Sequence, residues 1–135
     1  MSSLKYRCIL MCEDIRQEVG GRISLMGILS SKLLVQDFPL VFPKFCLFLE
    51  WGEFTGRAKV NLTIVPPAGV NMPNFRPTTE IPGQPGVVAR SMIVLNNFPF
   101  PIAGGYTFEF RNGEELIGSE TLVVEKMETP SGLTN

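Results

Sequence analysis

Apolar and polar residues alternate with a period of two along most of this chain. Across residues 57–65, Ala58, Val60, Leu62 and Ile64 fall on one side, with Arg57, Lys59, Asn61 and Thr63 on the other. Tyr106, Phe108 and Phe110 alternate in the same way with Thr107, Glu109 and Arg111. Phe45, Leu47, Leu49 and Trp51 share a third face, and Tyr6, Cys8, Leu10 and Cys12 a fourth. Successive side chains of a strand point to opposite faces, so this period demands half-buried strands. No segment carries a convincing helical period; a single short turn over Glu13–Glu18 is the most it allows. The runs at 4–12, 22–29, 32–37, 44–51, 57–65, 87–96, 105–111 and 115–125 are predicted as about eight antiparallel strands.

The residues between these runs suit tight turns. Asn112-Gly113 has the chemistry of a two-residue type I′ hairpin, and Gly20-Gly21 separates Ile15–Val19 from the next run. Near Gly118-Ser119 the apolar phase slips between Ile117 and the Leu122/Val124 pair, which predicts a β-bulge. An all-β chain of unequal strands with one long interruption is expected to be an antiparallel sandwich.

That interruption is residues 66–86, which hold six of the eleven prolines. Proline cannot donate to a ladder, so the segment reads as a loop or at best an edge strand. It exceeds the roughly 12–15 residues usual for an unstructured connector, which marks it as a candidate binding segment. Residues 1–125 are expected to form one domain, with 126–135 as a flexible tail lacking apolar pattern.

At 135 residues the chain can bury a real core without disulfides or metal. The chain has ten Phe, and those within strand-like runs, such as Phe45, Phe108 and Phe110, are suited to filling the gap between two sheets. Net charge is −1, and the nearest basic cluster is Lys5 with Arg7. Nucleic-acid binders need a clustered basic face, so that class is excluded. A membrane partner is not expected either: adsorption fails for the same lack of a basic cluster, and no apolar stretch approaches the roughly 20 residues needed to span a bilayer. The run Cys8–Cys12 is too short for an export signal and is followed at once by Glu13 and Asp14. Three cysteines without framework spacing point to a reducing, cytoplasmic setting.

Cys12-Glu13-Asp14 and the following Gly21-Arg22-Ile23-Ser24-Leu25-Met26-Gly27-Ile28 resemble the opening of an uncharacterised bacterial family of small proteins, known only as a domain of unknown function. Phe98-Pro99-Phe100-Pro101, Gly104-Gly105-Tyr106-Thr107-Phe108 and Asn112-Gly113-Glu114 are similar to its closing hairpin. The resemblance implies a β-sandwich of immunoglobulin-like general architecture and a bacterial or phage-borne source. In such domains a Tyr at the start of a strand can tie its hydroxyl back to the backbone. It implies no activity.

Catalytic chemistry is poorly supplied. The chain has no histidine, which removes Ser-His-Asp and Cys-His nucleophiles and His-ligated metals. Cys8 and Cys12, four apart on a strand, would lie roughly 13 Å apart, too far for one metal or one disulfide. Glu50 and Glu53 flank Trp51, but a glycosidase needs one carboxyl kept protonated by its surroundings, and Glu53 near a turn is expected to be wet. Glu13, Asp14 and Glu18 crowd one loop without the dense oxygen spacing of a calcium loop. The expectation is a protein without enzymatic activity, cofactor or metal.

Two binding readings follow. The first is a protein-interaction module, an intracellular accessory or assembly component, with self-association as one form of it. Its candidate anchors are Met72, Asn74, Phe75, Arg76 and Ile81 in the Pro-rich segment. The second is a carbohydrate or small-ligand module with Trp51 and Phe54 as a stacking platform, although Trp51 also continues the Phe45-Leu47-Leu49 face and so suits the core.

Overall fold

The computed structural model describes residues 4, 6–52, 56–72 and 76–128. Among them lie ten strands and no helix: β1 (Tyr6–Cys12), β2 (Asp14–Gln17), β3 (Ile23–Met26), β4 (Lys32–Val35), β5 (Leu40–Trp51), β6 (Gly56–Val65), β7 (Thr78–Gly83), β8 (Ala89–Phe100), β9 (Gly104–Asn112) and β10 (Glu115–Lys126). They form a three-stranded sheet β1-β5-β8, a five-stranded sheet β4-β10-β9-β6-β7 and a separate two-stranded hairpin β2-β3. Neighbours pair antiparallel except β4, which runs parallel to β10.

The period-two faces at 57–65, 106–110 and 45–51 point inward as expected and meet in one core. Phe45, Leu47, Leu49 and Trp51 of β5 share it with Ile93 and Leu95 of β8, and with Val60, Leu62, Tyr106, Phe108, Phe110, Leu122 and Val124 of the larger sheet. Phe45 lies between the sheets: its ring stacks on Phe98 at 5.3 Å and on Phe108 of β9 at 5.4 Å. Phe42, Phe100 and Tyr106 continue the aromatic cluster edge to face. Such pairs add to the area they bury, which is why so Phe-rich a chain needs no other staple.

The β5-β8 pair reverses its phase partway along. Phe45 and Leu95 face the core, yet beyond the Lys44↔Asn96 pair it is Phe98 and Phe100 that are fully buried, with Phe42 and Leu40 packed beside them. Asn97, at φ 55, supplies the left-handed residue that lets β8 turn over. At the corner after β8, the Tyr106 hydroxyl donates to Ile102 O at 2.7 Å and accepts from Ile102 N–H at 3.3 Å. This backward tie from the start of a strand is the one the family resemblance led us to expect.

Several expectations are corrected. Strand β1 buries Ile9 and Met11 in the core, so Cys8, Leu10 and Cys12 lie on its opposite face. A register shift between Tyr6 and Cys8 returns Tyr6 to the core side. Residues 14–17 form β2, not a helical turn, because they pair with Ile23–Met26. The segment 66–86, by contrast, follows the edge-strand alternative over Thr78–Gly83, where β7 pairs with β6 at the sheet edge and Pro82 is tolerated. At the last hairpin Asn112 pairs with Glu115, so the two loop residues are Gly113 and Glu114. Only Gly113 has positive φ, at 64, and the turn is therefore type II′. The bulge falls as expected, between Leu116 and Gly118. Strand β10 runs to Lys126, and Met127 N–H donates to Val35 O at 2.6 Å, so strand order extends past residue 125. Residues 129–135 of the expected tail lie outside the described residues.

Candidate functional site

The β2-β3 hairpin projects over the outer face of the three-stranded sheet. It forms because Gly20 and Gly21, at φ 85 and 79, reverse the chain and bring Gln17 opposite Ile23 and Ile15 opposite Leu25. Its base is tied down by backbone: Glu13 N–H donates to Met26 O (3.0 Å) and to Gly27 O (3.2 Å), and Leu29 N–H donates to Met11 O (2.8 Å). An ion pair also reaches the sheet, where Lys44 Nζ lies 2.6 Å from Asp14 Oδ1. Lys44, with Arg16 beside it, holds the Asp14 carboxyl below its ordinary range.

Toward its tip the hairpin stands clear of the sheet and leaves a groove of about 900 Å³. Phe48 of β5 forms its apolar floor, and Val19, Ile23 and Leu25 line the hairpin side. Glu50 and Arg90, opposite one another on β5 and β8, form a charged lip. Arg90 Nε donates to Glu50 Oε2 at 3.0 Å, and Arg7 approaches Oε1 at 3.6 Å. On the hairpin, Ser24 Oγ donates to Glu18 Oε2 (2.9 Å) and Arg22 Nε to Val19 O (3.3 Å). The groove thus offers an apolar centre between charged rims. Val19 at its mouth is 89% exposed and has no packing role in the fold.

Beneath the hairpin base, Cys12 and Cys46 are direct cross-strand neighbours on β1 and β5, and both are fully buried. The Cys46 thiol donates to Glu13 O at 3.8 Å. Burial pushes the Cys12 thiol up to about 11, and burial also raises Cys46 and Cys8. These are protonated packing groups rather than nucleophiles. No cluster of metal-ligating side chains occurs among the described residues. The acids near the hairpin are dispersed, with Asp14 on Lys44 and Glu18 on Ser24.

The residues singled out from sequence fare unevenly. Trp51 is fully buried, and its Nε1–H donates to Ser91 Oγ at 3.0 Å, so its ring faces are inside the core and unavailable as a stacking platform. Ile81 is also fully buried, on β7, and cannot anchor a partner, because its side chain already fills the core between the sheets. Met72 packs partly buried against that core. Arg76 is exposed and lines a second, smaller cavity on the larger sheet. Asn74, Phe75, Glu53 and Phe54 lie outside the described residues. The hairpin groove is the surface that sequence reasoning missed; its one sequence signal is an apolar Val19 placed directly before the Gly-Gly turn.

No curated protein and no solved structure matches the chain. A family profile does, over residues 7–125, from the first strand to the last and including the hairpin and the Tyr106 corner. The chain belongs to the family of unknown function DUF6941.

Proposed function

We propose that this protein is a non-enzymatic interaction module whose β2-β3 hairpin and the groove beneath it receive an extended segment of a protein partner. The observation that carries this reading is the exposed Val19 above a groove floored by Phe48 and rimmed by Glu50, Arg90 and Arg22. Apolar side chains held in water beside an apolar floor contribute nothing to folding and are characteristic of binding surfaces. The mixed charges on the rim suit a polypeptide, which carries both signs, better than a uniformly charged ligand. A sugar platform at Trp51 is not part of the reading, since the indole is enclosed.

The same proposal takes the two larger sheets as the faces of an immunoglobulin-like sandwich. The Phe45–Phe108 stack across them and the Tyr106–Ile102 tie support that architecture. Three free thiols support a cytoplasmic role as an accessory or assembly component.

The test is affinity capture from source-cell extract, comparing wild type with Val19→Asp and Arg90→Glu, followed by calorimetry with the purified captured protein. Val19 is exposed and pairs with no side chain among the described residues, so Val19→Asp is expected to keep wild-type thermal stability within about 0.5 kcal/mol. Arg90→Glu sets a like charge opposite Glu50, so its melt is measured beside its binding. Val19→Asp should weaken binding of that protein at least about tenfold, the order of one lost apolar contact or more. A partner held equally by all three forms would place the binding surface elsewhere and overturn the proposal.

A further inference from the structure

The outward face of the five-stranded sheet carries a second concavity, of about 340 Å³. Asn61 and Thr63 of β6 point into it because they alternate with the buried Val60 and Leu62. Register places Thr78 of β7 on one side of Asn61 and Arg111 of β9 on the other, and Arg76, just before β7, closes the wall. The lining is rich in donors. Thr78 Oγ1 donates to Asn61 Oδ1 at 2.7 Å, which leaves the Asn61 amide N–H bonds as donors. Arg111 gives one nitrogen to Glu114 O (3.2 Å) and another to Glu109 Oε1 (3.3 Å). Arg76 forms no ion pair among the described residues. Two guanidinium groups therefore share one cavity, with a single carboxylate committed to one of them.

We propose that this cavity binds a carboxylate or phosphate group, held between Arg76 and Arg111 with Asn61 and Thr63 as neutral donors. Guanidinium is planar and permanently charged, and it engages such oxyanions with paired hydrogen bonds that an ammonium group cannot reproduce. The site stands apart from the hairpin groove, on the outward face of the other sheet, and does not depend on that reading. It also explains why an arginine sits inside a proline-rich stretch. Pro77 follows Arg76 directly, restricting the backbone that presents the guanidinium at the sheet edge.

The experiment is backbone-amide NMR on the full chain, titrating inorganic phosphate and, separately, sodium acetate, at constant ionic strength against a chloride control. Saturable shifts are expected at Asn61, Thr63, Thr78 and Arg111, and the anion that produces them identifies the group as phosphate or carboxylate. Arg76→Gln should raise the apparent dissociation constant by about tenfold, the effect of one lost charge-assisted contact, with Arg76→Lys falling between the two. Because Arg76 is exposed and unpaired among the described residues, these variants keep the fold, whereas Arg111→Gln also frees Glu109 and is the secondary test. Shifts that fail to saturate with either anion, or that are unchanged in Arg76→Gln, would overturn the proposal.

Discussion

Buried polar groups decide behaviour at the residue scale, because each must find its partner inside the core. The Trp51 indole N–H is one such group and Ser91 Oγ its acceptor, 3.0 Å away. Trp51 is the only tryptophan in the chain, so its fluorescence reports this one site. Emission is expected to be blue-shifted and resistant to acrylamide; a red, readily quenched band would contradict the burial. Ser91→Ala leaves the indole N–H without its acceptor and should lower unfolding stability by about 1–3 kcal/mol in denaturant titration. Tyr6 is a second case. Its hydroxyl donates to Glu120 Oε1 at 2.7 Å, and burial, followed by that carboxylate, raises the phenol to about 12. An unfolded tyrosine ionises near 10. Between those values the folded state holds a proton that the unfolded state has lost, so stability is full below about pH 10 and falls as pH rises toward 12. Tyr106 and Cys12 are raised as well and contribute to the same alkaline loss. Urea midpoints measured from pH 9 to 12 should therefore decline, and Tyr6→Phe should decline less steeply. An identical slope in the variant would remove Tyr6 from the account.

Among the elements, the β9-β10 hairpin separates two turn chemistries that the same dipeptide suggests. A type I′ turn would place Asn112 and Gly113 in the loop; the observed type II′ turn uses Gly113 and Glu114 and keeps Asn112 in the ladder. Gly113→Ala should accordingly cost about 1 kcal/mol, because only glycine adopts φ 64 without strain, while Asn112→Ala should change stability by less than about 0.5 kcal/mol. Thermal melts of the two variants distinguish the turns, and equal losses would favour type I′. The same contrast explains what was legible in the sequence. Strands that bury three or four alternating side chains, such as β5, β6 and β9, could be read directly, and so could the bulge beside Gly118. Strand β7 has a single buried apolar residue, Ile81, among prolines, and only the ladder to β6 makes it a strand. Strand β2 is a four-residue, mostly polar segment defined by its partner β3. In β1 both faces are apolar, one for the core and one under the hairpin, so alternation could not choose between them. The groove was hidden for a related reason: it exists only where the hairpin overhangs Phe48, a juxtaposition of residues that are distant in the chain.

In the molecule as a whole, stability is unevenly distributed. The two larger sheets share one continuous core, and none of the hairpin's residues belongs to it. Among the described residues the hairpin is held by its own ladder, the backbone ties at its base, the Cys46 thiol on Glu13 O and the Asp14–Lys44 ion pair. Local opening of such an appendage needs far less free energy than global unfolding, because few apolar contacts are lost. Amides of residues 15–25 should therefore exchange with deuterium well before those of β5, β6 and β9. The Asp14–Lys44 pair is the contact that can be removed without touching the core. Both partners are solvent-exposed, so the pair affects the hairpin's docking rather than global stability. Lys44→Ala should speed exchange across residues 14–26 and leave the core strands unchanged. Lowering the pH should act in the same direction. Asp14 is held below its ordinary range by Lys44, so its contribution is full above ordinary carboxylate pH values and declines as pH falls from that range through the depressed value. Exchange that accelerates uniformly in Lys44→Ala would mean that the hairpin and the sheets open as one unit. In that case the groove could not admit a partner by local movement of the hairpin, and binding would have to use the groove as it stands.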